Sequence, residues 1–156
     1  MVEFALVIPI LLLVIMGIFA FAHLFFTYST INSAAREGAR IGSATGSSLI
    51  NSTLPHYKDC VEIRNAVKRV GQAAGVDNDS EITISFIRGA ASPPLQIASC
   101  TGVTTYADTI QSADRIVVAL SVDYQPFFPF VNLPHFVIDA SSARTIITNI
   151  SIPAGP

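Results

Sequence analysis

The N-terminal segment up to Gly42 most constrains what this chain can fold into. After Glu3, the residues from Phe4 to Phe26 include no formally charged side chain, and only His23 among them is protonatable near neutral pH. A run of about 20 apolar residues is long enough to cross the hydrocarbon core of a bilayer as a helix. The sequence stays compatible with a helix as far as Gly42, and such a helix would be about 58 Å long. A simple membrane anchor does not need that length.

The rest of the chain is long enough for one globular domain. We therefore predict a transmembrane or filament-core helix over residues 1–42 and an exported globular head over residues 43–156. A signal peptide is not indicated, because the apolar core is too long and no cleavage site follows it, so we expect the helix to remain in the mature protein. The net charge of -2 and the absence of any basic run exclude a nucleic-acid partner.

The sequence predicts that the head has an α+β fold, in which one helix packs on a small antiparallel sheet. An N-cap pattern at Asp59, apolar residues at spacings of three and four, and Gly75 at the end predict an amphipathic helix. Alternating apolar residues predict the strands. The predicted strands cover residues 81–88, 115–124 and 136–152, with a short additional strand at 96–99.

Two cysteines, Cys60 and Cys100, both fall in the predicted head. An even number of cysteines in an exported domain favours a disulfide, and closing a loop of this length would stabilise the head by about 3 to 4 kcal/mol. Two buried thiols are the alternative, since the spacing matches no known disulfide signature.

Catalytic and metal-binding patterns are missing from the sequence. The three histidines, His23, His56 and His135, stand in unrelated contexts, so we predict no metal site. The acidic residues at 77–81 lack the spacing of a calcium loop and predict a polar turn. No nucleophile signature and no phosphate-binding glycine loop is present. We therefore expect neither a cofactor nor enzymatic activity.

Several residues are candidates for assembly between copies of the chain. Ala34, Gly38 and Gly42 form a ladder of small residues that allows two helices to approach closely, although the same side of the helix is equally suited to packing on its own head. Pro9 and Gly17 are positions within the apolar run at which the helix can bend.

Glu3 and an aromatic loop late in the chain are further assembly candidates. Glu3, directly before Phe4, would be neutralised by a neighbouring subunit's amino terminus, or would simply stay at the lipid headgroups. A loop with Phe127, Phe128 and Phe130 separated by prolines is either part of the head core or a contact with another subunit.

Two parts of the sequence resemble a known family. The string VEFALVIPILLLVIMGIFAF at 2–21, followed by Tyr28, Asn32 and AAREGAR at 34–40, resembles the TadE-like proteins of tight-adherence pili, a subclass of type IV pili. VDYQPFFPF at 122–130 with FVIDASSART at 136–145 is similar to the closing hairpin region of that family.

The resemblance implies a ladle-shaped pilin. Its helix is embedded in the cytoplasmic membrane first and becomes filament core later, and its head is displayed outside the cell in an adhesive filament. Partners would be other copies of the chain and possible companion pilins. In such proteins a glutamate at the fifth mature position pairs with a neighbouring amino terminus; Glu3 matches it but stands third, so the mature chain begins elsewhere or the register differs. The alternative function is a membrane-anchored, exported binding module that does not polymerise.

Overall fold

The computed structural model describes residues 2–88, 95–100, 110–124 and 136–148, and for residues 2, 3, 5, 95 and 98 it describes only the backbone. A long helix is followed by a shorter one and by a sheet of four strands. These elements are α1 (Val2–Gly42), α2 (Cys60–Gly71), β1 (Ile82–Arg88), β2 (Leu95–Ser99), β3 (Arg115–Tyr124) and β4 (Phe136–Thr145). The predicted α+β class, with a long apolar helix ahead of a small antiparallel sheet, is confirmed.

The sheet is antiparallel throughout, with the strand order β2-β1-β3-β4. Every second side chain of β1 and β3 is buried, as the alternating sequence requires of strands with one covered face. Phe86, Ile116 and Val118 are among the residues of this face that are fully buried. The helices cover this face: α1 contacts β3 and β4, and α2 lies beside α1.

The second helix begins and ends as the sequence predicts. The carboxylate of Asp59 accepts hydrogen bonds from the backbone N–H groups of Val61 and Glu62, both at 3.0 Å, and so caps the first turn. A short 3₁₀ turn extends the helix, and Gly75 ends it with a φ of 84°, a left-handed conformation that glycine adopts without steric cost.

Cys60 and Cys100 form a disulfide, as predicted, between the first turn of α2 and the residue that follows β2. The guanidinium of Arg64 donates a hydrogen bond of 2.7 Å to the backbone carbonyl of Cys100. The amide of Cys100 in turn donates to the carbonyl of Ile84 in β1. Together these contacts attach α2 to the β1-β2 side of the sheet, while α1 covers the β3-β4 side.

The C-terminal half of α1 belongs to the core of the head. Ile31, Ala34, Ala35 and Ala39 are all buried in the same cluster as the sheet residues. The boundary predicted at residue 42 marks the end of the helix in the sequence. In the folded structure, however, the C-terminal half of α1 is part of the head.

Most strand limits match the sequence-based expectation within one residue. The exception is β4, which was expected to continue to residue 152 but ends at Thr145. Ile146 lies opposite Asp114, the residue before β3: its amide donates to the carbonyl of Asp114 at 2.7 Å, and its side chain is buried. The partner strand does not extend further, because the chain turns at Ala113, which has a left-handed φ of 78°. The β propensity of the residues after Thr145 therefore does not decide the strand end.

Candidate assembly surface

Within the described part of the chain, the apolar side chains of the N-terminal half of α1 are left exposed. Every side chain described between Phe4 and Ala22 is exposed, and Phe4 itself is 74% exposed. Apolar residues occur on all sides of this part of the helix, which we call the stem (residues 4–22). A helix that is apolar all round is stable only in an apolar environment, which is either lipid or a bundle of other helices.

The length of the stem matches a bilayer. Residues 4–22 extend about 28 Å along the helix axis, close to the hydrocarbon thickness of about 30 Å. Among the described residues, one helix is long and apolar enough to cross a membrane, and its candidate span begins at Leu6.

The head begins directly where the stem ends. The ring nitrogen Nδ1 of His23 lies 3.1 Å from the hydroxyl of Tyr124, at the end of β3. Tyr124 also makes an edge-on contact with Phe136 of β4. Aromatic and amphipathic rings are typical of the membrane–water interface, so this junction suits the lipid surface.

The next two turns of α1 carry polar side chains whose hydrogen bonds stay within the helix. The hydroxyls or amides of these residues each donate to the backbone carbonyl four positions earlier, at distances from 2.8 to 3.0 Å. The four residues are Thr27, Thr30, Asn32 and Ser33. Because these donors are already satisfied, this part of the helix can approach other helices at a lower desolvation cost.

An apolar groove of about 340 Å³ opens between α1 and the edge strand β4. We call it the flank groove; it is lined by Phe21, Leu24, Phe25, Tyr28, Phe136, Val137, Ile138 and Asp139. Phe21 is the first of these along α1 and also belongs to the stem. The apolar surface of the stem therefore continues without interruption onto one side of the head.

The small-residue ladder faces the head of its own chain. A methyl group added to Gly38 would collide with Val67 of α2 and Val118 of β3, and one added to Gly42 would collide with Ile116 and Ile63. Ala34 is fully buried in the same row. Of the two readings of the ladder, packing on the own head is the one seen here. A second helix contact at these three residues stays a prediction.

The other predicted assembly residues lie in the stem or outside the described part. Pro9 is contained within a continuous α1, and nothing lies within 4 Å of the position that a Gly17 side chain would occupy. The side chain of Glu3 and the loop with Phe127, Phe128 and Phe130 fall outside the described residues. The assembly roles of all these residues stay predictions.

Sequence reasoning missed one exposed apolar pair on the head. Leu49 is 87% exposed and Ile50 is 56% exposed, in the connector between α1 and α2. The signal was present, because these are two adjacent large apolar residues in a segment otherwise rich in Gly, Ser and Thr. The contact between His23 and Tyr124 left no such signal, since the two residues are 101 positions apart.

No group of three or more His, Cys, Asp or Glu side chains within the described ranges is arranged to hold a metal ion. The histidine–carboxylate contact in these ranges holds parts of the fold together. His56 lies 2.7 Å from a carboxylate oxygen of Glu62, whose other oxygen accepts from the amide of Leu49. These contacts fasten the connector to the first turns of α2.

Comparison with known families gives one match. The family model described as TadE-like protein matches residues 1–40, which confirms the resemblance over that segment. The matched residues comprise the stem and most of the part of α1 that packs in the head. Searches of curated proteins and of solved structures find no match for the chain. The TadE-like segment and the apolar helix together fit a membrane-anchored protein associated with Tad pili.

Proposed function

We propose that this protein is a structural pilin subunit that polymerises through α1 into an extracellular, Tad-like type IV filament used for adhesion. The observation that carries the proposal is the contrast between the stem, which is apolar on all sides and whose described side chains are exposed, and the head, whose described residues form a buried core. The TadE-like match over residues 1–40 supports the same reading.

The mechanism is a change of apolar environment. Before assembly, lipid surrounds the stem, and about 28 Å of helix fills the hydrocarbon core. During assembly, the stems of neighbouring copies replace the lipid, so the hydrophobic side chains that anchored the subunit now form the filament core. A contact that uses two different surfaces of the subunit does not close on itself and therefore continues into a filament.

Glu3 is the residue that we expect to guide this exchange. A carboxylate drawn into an apolar bundle costs several kcal/mol unless a positive charge pairs with it. The amino terminus of a neighbouring subunit would supply that charge. The pairing would favour the correct axial position of one subunit against the next.

The head is proposed to be exported and non-catalytic. The Cys60–Cys100 disulfide supports export, because such bonds persist in oxidising compartments outside the cytoplasm. The sequence shows no nucleophile or phosphate-binding signature, which supports a structural role rather than a catalytic one. Companion pilins in the same filament are compatible with this arrangement.

The test uses the full-length protein in its own cells. We expect Glu3→Ala to abolish filaments seen by negative-stain electron microscopy, while the protein stays in the carbonate-resistant membrane fraction. Glu3→Asp, which retains the charge, is the matched variant and should restore filaments at least in part. Mass spectrometry of purified wild-type filaments should identify this chain as a component.

Two outcomes would contradict this proposal in different ways. Normal filaments from Glu3→Ala would remove the charge-pairing step but leave polymerisation intact. If the wild-type chain is missing from every filament while remaining in the membrane, polymerisation is wrong and the protein is instead a single-pass anchored binding module.

A further inference from the structure

We infer that the head carries its own pair of subunit contacts, in which Leu49 and Ile50 of one copy insert into the flank groove of a second copy. The inference deepens the proposed function and rests on it. It assigns a partner, a second copy of this chain, to two apolar features that are exposed among the described residues.

The first feature is a pair of exposed apolar side chains whose backbone is fixed to the head, at the side of a shallow pocket on α2. We call Leu49 and Ile50 the apolar knob. The amide of Leu49 donates to Glu62 at 3.1 Å, and the amide of Ile50 donates to the hydroxyl of Ser48 at 3.1 Å. Ser48 itself is buried and donates to Asp59 at 2.6 Å. A projection fixed in this way loses little conformational entropy when it binds.

The second feature is the flank groove. It is open, mostly apolar and about 340 Å³ in volume, enough to accept the side chains of two aliphatic residues. Phe136 and Val137 on its β4 wall are 53% and 47% exposed. Its α1 wall continues into the stem, which is the surface already proposed to meet other copies.

The charges beside the two features are complementary. Arg69 of α2 borders the knob and is exposed. The carboxylate beside the knob, Glu62, is buried and already engaged by His56, which leaves Arg69 as the exposed charge on this side. Asp139 of β4 borders the flank groove and is exposed as well. Docking the knob in the groove would therefore bring a cation towards a carboxylate at the rim of the contact, where such pairs favour one register over others.

The two features lie on opposite sides of α1. Ile41 borders the knob and Tyr28 lines the groove, and at 3.6 residues per turn they are about 140° apart around the helix axis. Two copies with parallel helices can therefore place the knob side of one against the groove side of the next. Because the two surfaces differ, the contact repeats indefinitely and suits a filament.

The contact also fixes an axial offset. The knob lies level with Ile41 and the groove level with residues 21–28, so docking shifts the second copy along the helix axis by about 25 Å at 1.5 Å per residue. That shift is most of the hydrocarbon thickness of about 30 Å. A single contact between two heads would therefore place the stem of the second copy almost completely outside the lipid.

Cysteine cross-linking in assembled filaments tests the contact. Two differently tagged full-length copies, one with Leu49→Cys and the other with Val137→Cys, are expressed together. We expect a disulfide between the two tags and little between copies of the same variant. The matched control replaces Val137→Cys by Ile147→Cys, which is 50% exposed but lies outside the groove. The native cysteines are already paired.

A charge exchange provides the second readout. Arg69→Glu or Asp139→Arg alone should reduce the number of filaments at least about tenfold, equivalent to about 1.4 kcal/mol. Combining both in one chain should restore filaments. Arg115→Glu, an exposed charge on β3 that borders neither feature, is the control and should leave filament number unchanged. All these residues are exposed, so the head should retain its disulfide and its thermal stability.

The outcomes separate this contact from polymerisation itself. If filaments form normally while the Leu49–Val137 pair cross-links no better than the control pair, the knob-and-groove contact is wrong and the proposed function stands. That result is expected if lipid or another segment of the same chain occupies the groove instead. If wild-type cells make no filament containing this chain, the proposed function fails and the contact fails with it.

Discussion

The two halves of α1 form one continuous helix but lie in different surroundings. In the stem, residues 4–22, the side chains are large, apolar and exposed on all sides. From residue 27 onward, one side of the helix is small and buried against the head, and the opposite side is polar and exposed, as at Ser29, Ser33 and Arg36. The change occurs at His23, where the head begins.

The residues of each half match the surroundings against which that half packs. Gly38 and Gly42 are small because side chains of α2 and β3 already occupy the space around them. Gly17 has no such neighbour among the described residues, and the large residues around it are exposed. The second half is therefore fitted to its own head. The first half is fitted to partners outside the folded chain, which we propose are lipid and then other copies.

The largest expected effect separates the stability of the head from membrane insertion. Replacing both Cys60 and Cys100 by Ala removes a cross-link that spans 40 residues, which should lower the free energy of unfolding of the head by about 3 to 4 kcal/mol. Chemical denaturation of the full-length protein in detergent, followed by tyrosine fluorescence, measures this change. The membrane fraction should be unaffected. A loss of insertion would show that the two halves are not independent.

A charge in the stem should have the converse effect. Leu12→Arg places a cation near the middle of the apolar span, and should raise the free energy of insertion by about 2.5 to 3.5 kcal/mol. Ser33→Arg, on the exposed polar side of the second half, is the matched control and should insert normally. Carbonate extraction of membranes compares the two. Equal insertion of both variants would contradict a lipid environment for the stem.

The glycines of the two halves should respond differently to added volume. Gly38→Leu forces a side chain against Val67 and Val118, and overpacking of this kind destabilises by about 1 to 3 kcal/mol. Gly17→Leu meets nothing within 4 Å and should leave the thermal unfolding of the head unchanged. Differential scanning calorimetry in detergent measures both variants. If Gly38→Leu were as stable as wild type, close packing of α1 on its own head would be wrong.

The smallest effect concerns an exposed ion pair on the head. A hydrogen bond of 2.8 Å from Lys68 holds the pKa of Asp79 below its usual value. The pair therefore contributes stability above the unfolded pKa of about 3.9, and this contribution is lost as the pH falls through the lower folded pKa. Asp79 is 63% exposed, so Asp79→Asn should cost less than about 1 kcal/mol at neutral pH.

Denaturation curves at several pH values check this prediction. The difference between wild type and Asp79→Asn should disappear in strong acid, where the carboxylate is protonated in both the folded and unfolded states. A difference that instead grew on acidification would contradict the assigned direction of the pKa shift.

Local sequence signals predicted most elements of the head because each is encoded by neighbouring residues. The alternation of Ile116, Val118 and Leu120 is sufficient to indicate a strand with one buried face, and Asp59 followed by Glu62 indicates the start of α2. The predicted end of β4 was wrong, because the strand is limited by its partner: the chain turns at Ala113, just before β3, and the residues after Thr145 do not encode that turn. The flank groove was not foreseen either, since its two walls, α1 and β4, lie at opposite ends of the described chain.

The sequence by itself determined that the first half of α1 needs an apolar environment, because a helix surface without polar residues has no stable arrangement in water. It also determined that the helix is longer than a membrane anchor needs. Only the tertiary structure decided how the second half is used. Ala34, Gly38 and Gly42 suit a close helix contact equally well within one chain or between two, and the positions of Val67, Ile63 and Ile116 show the contact inside the head.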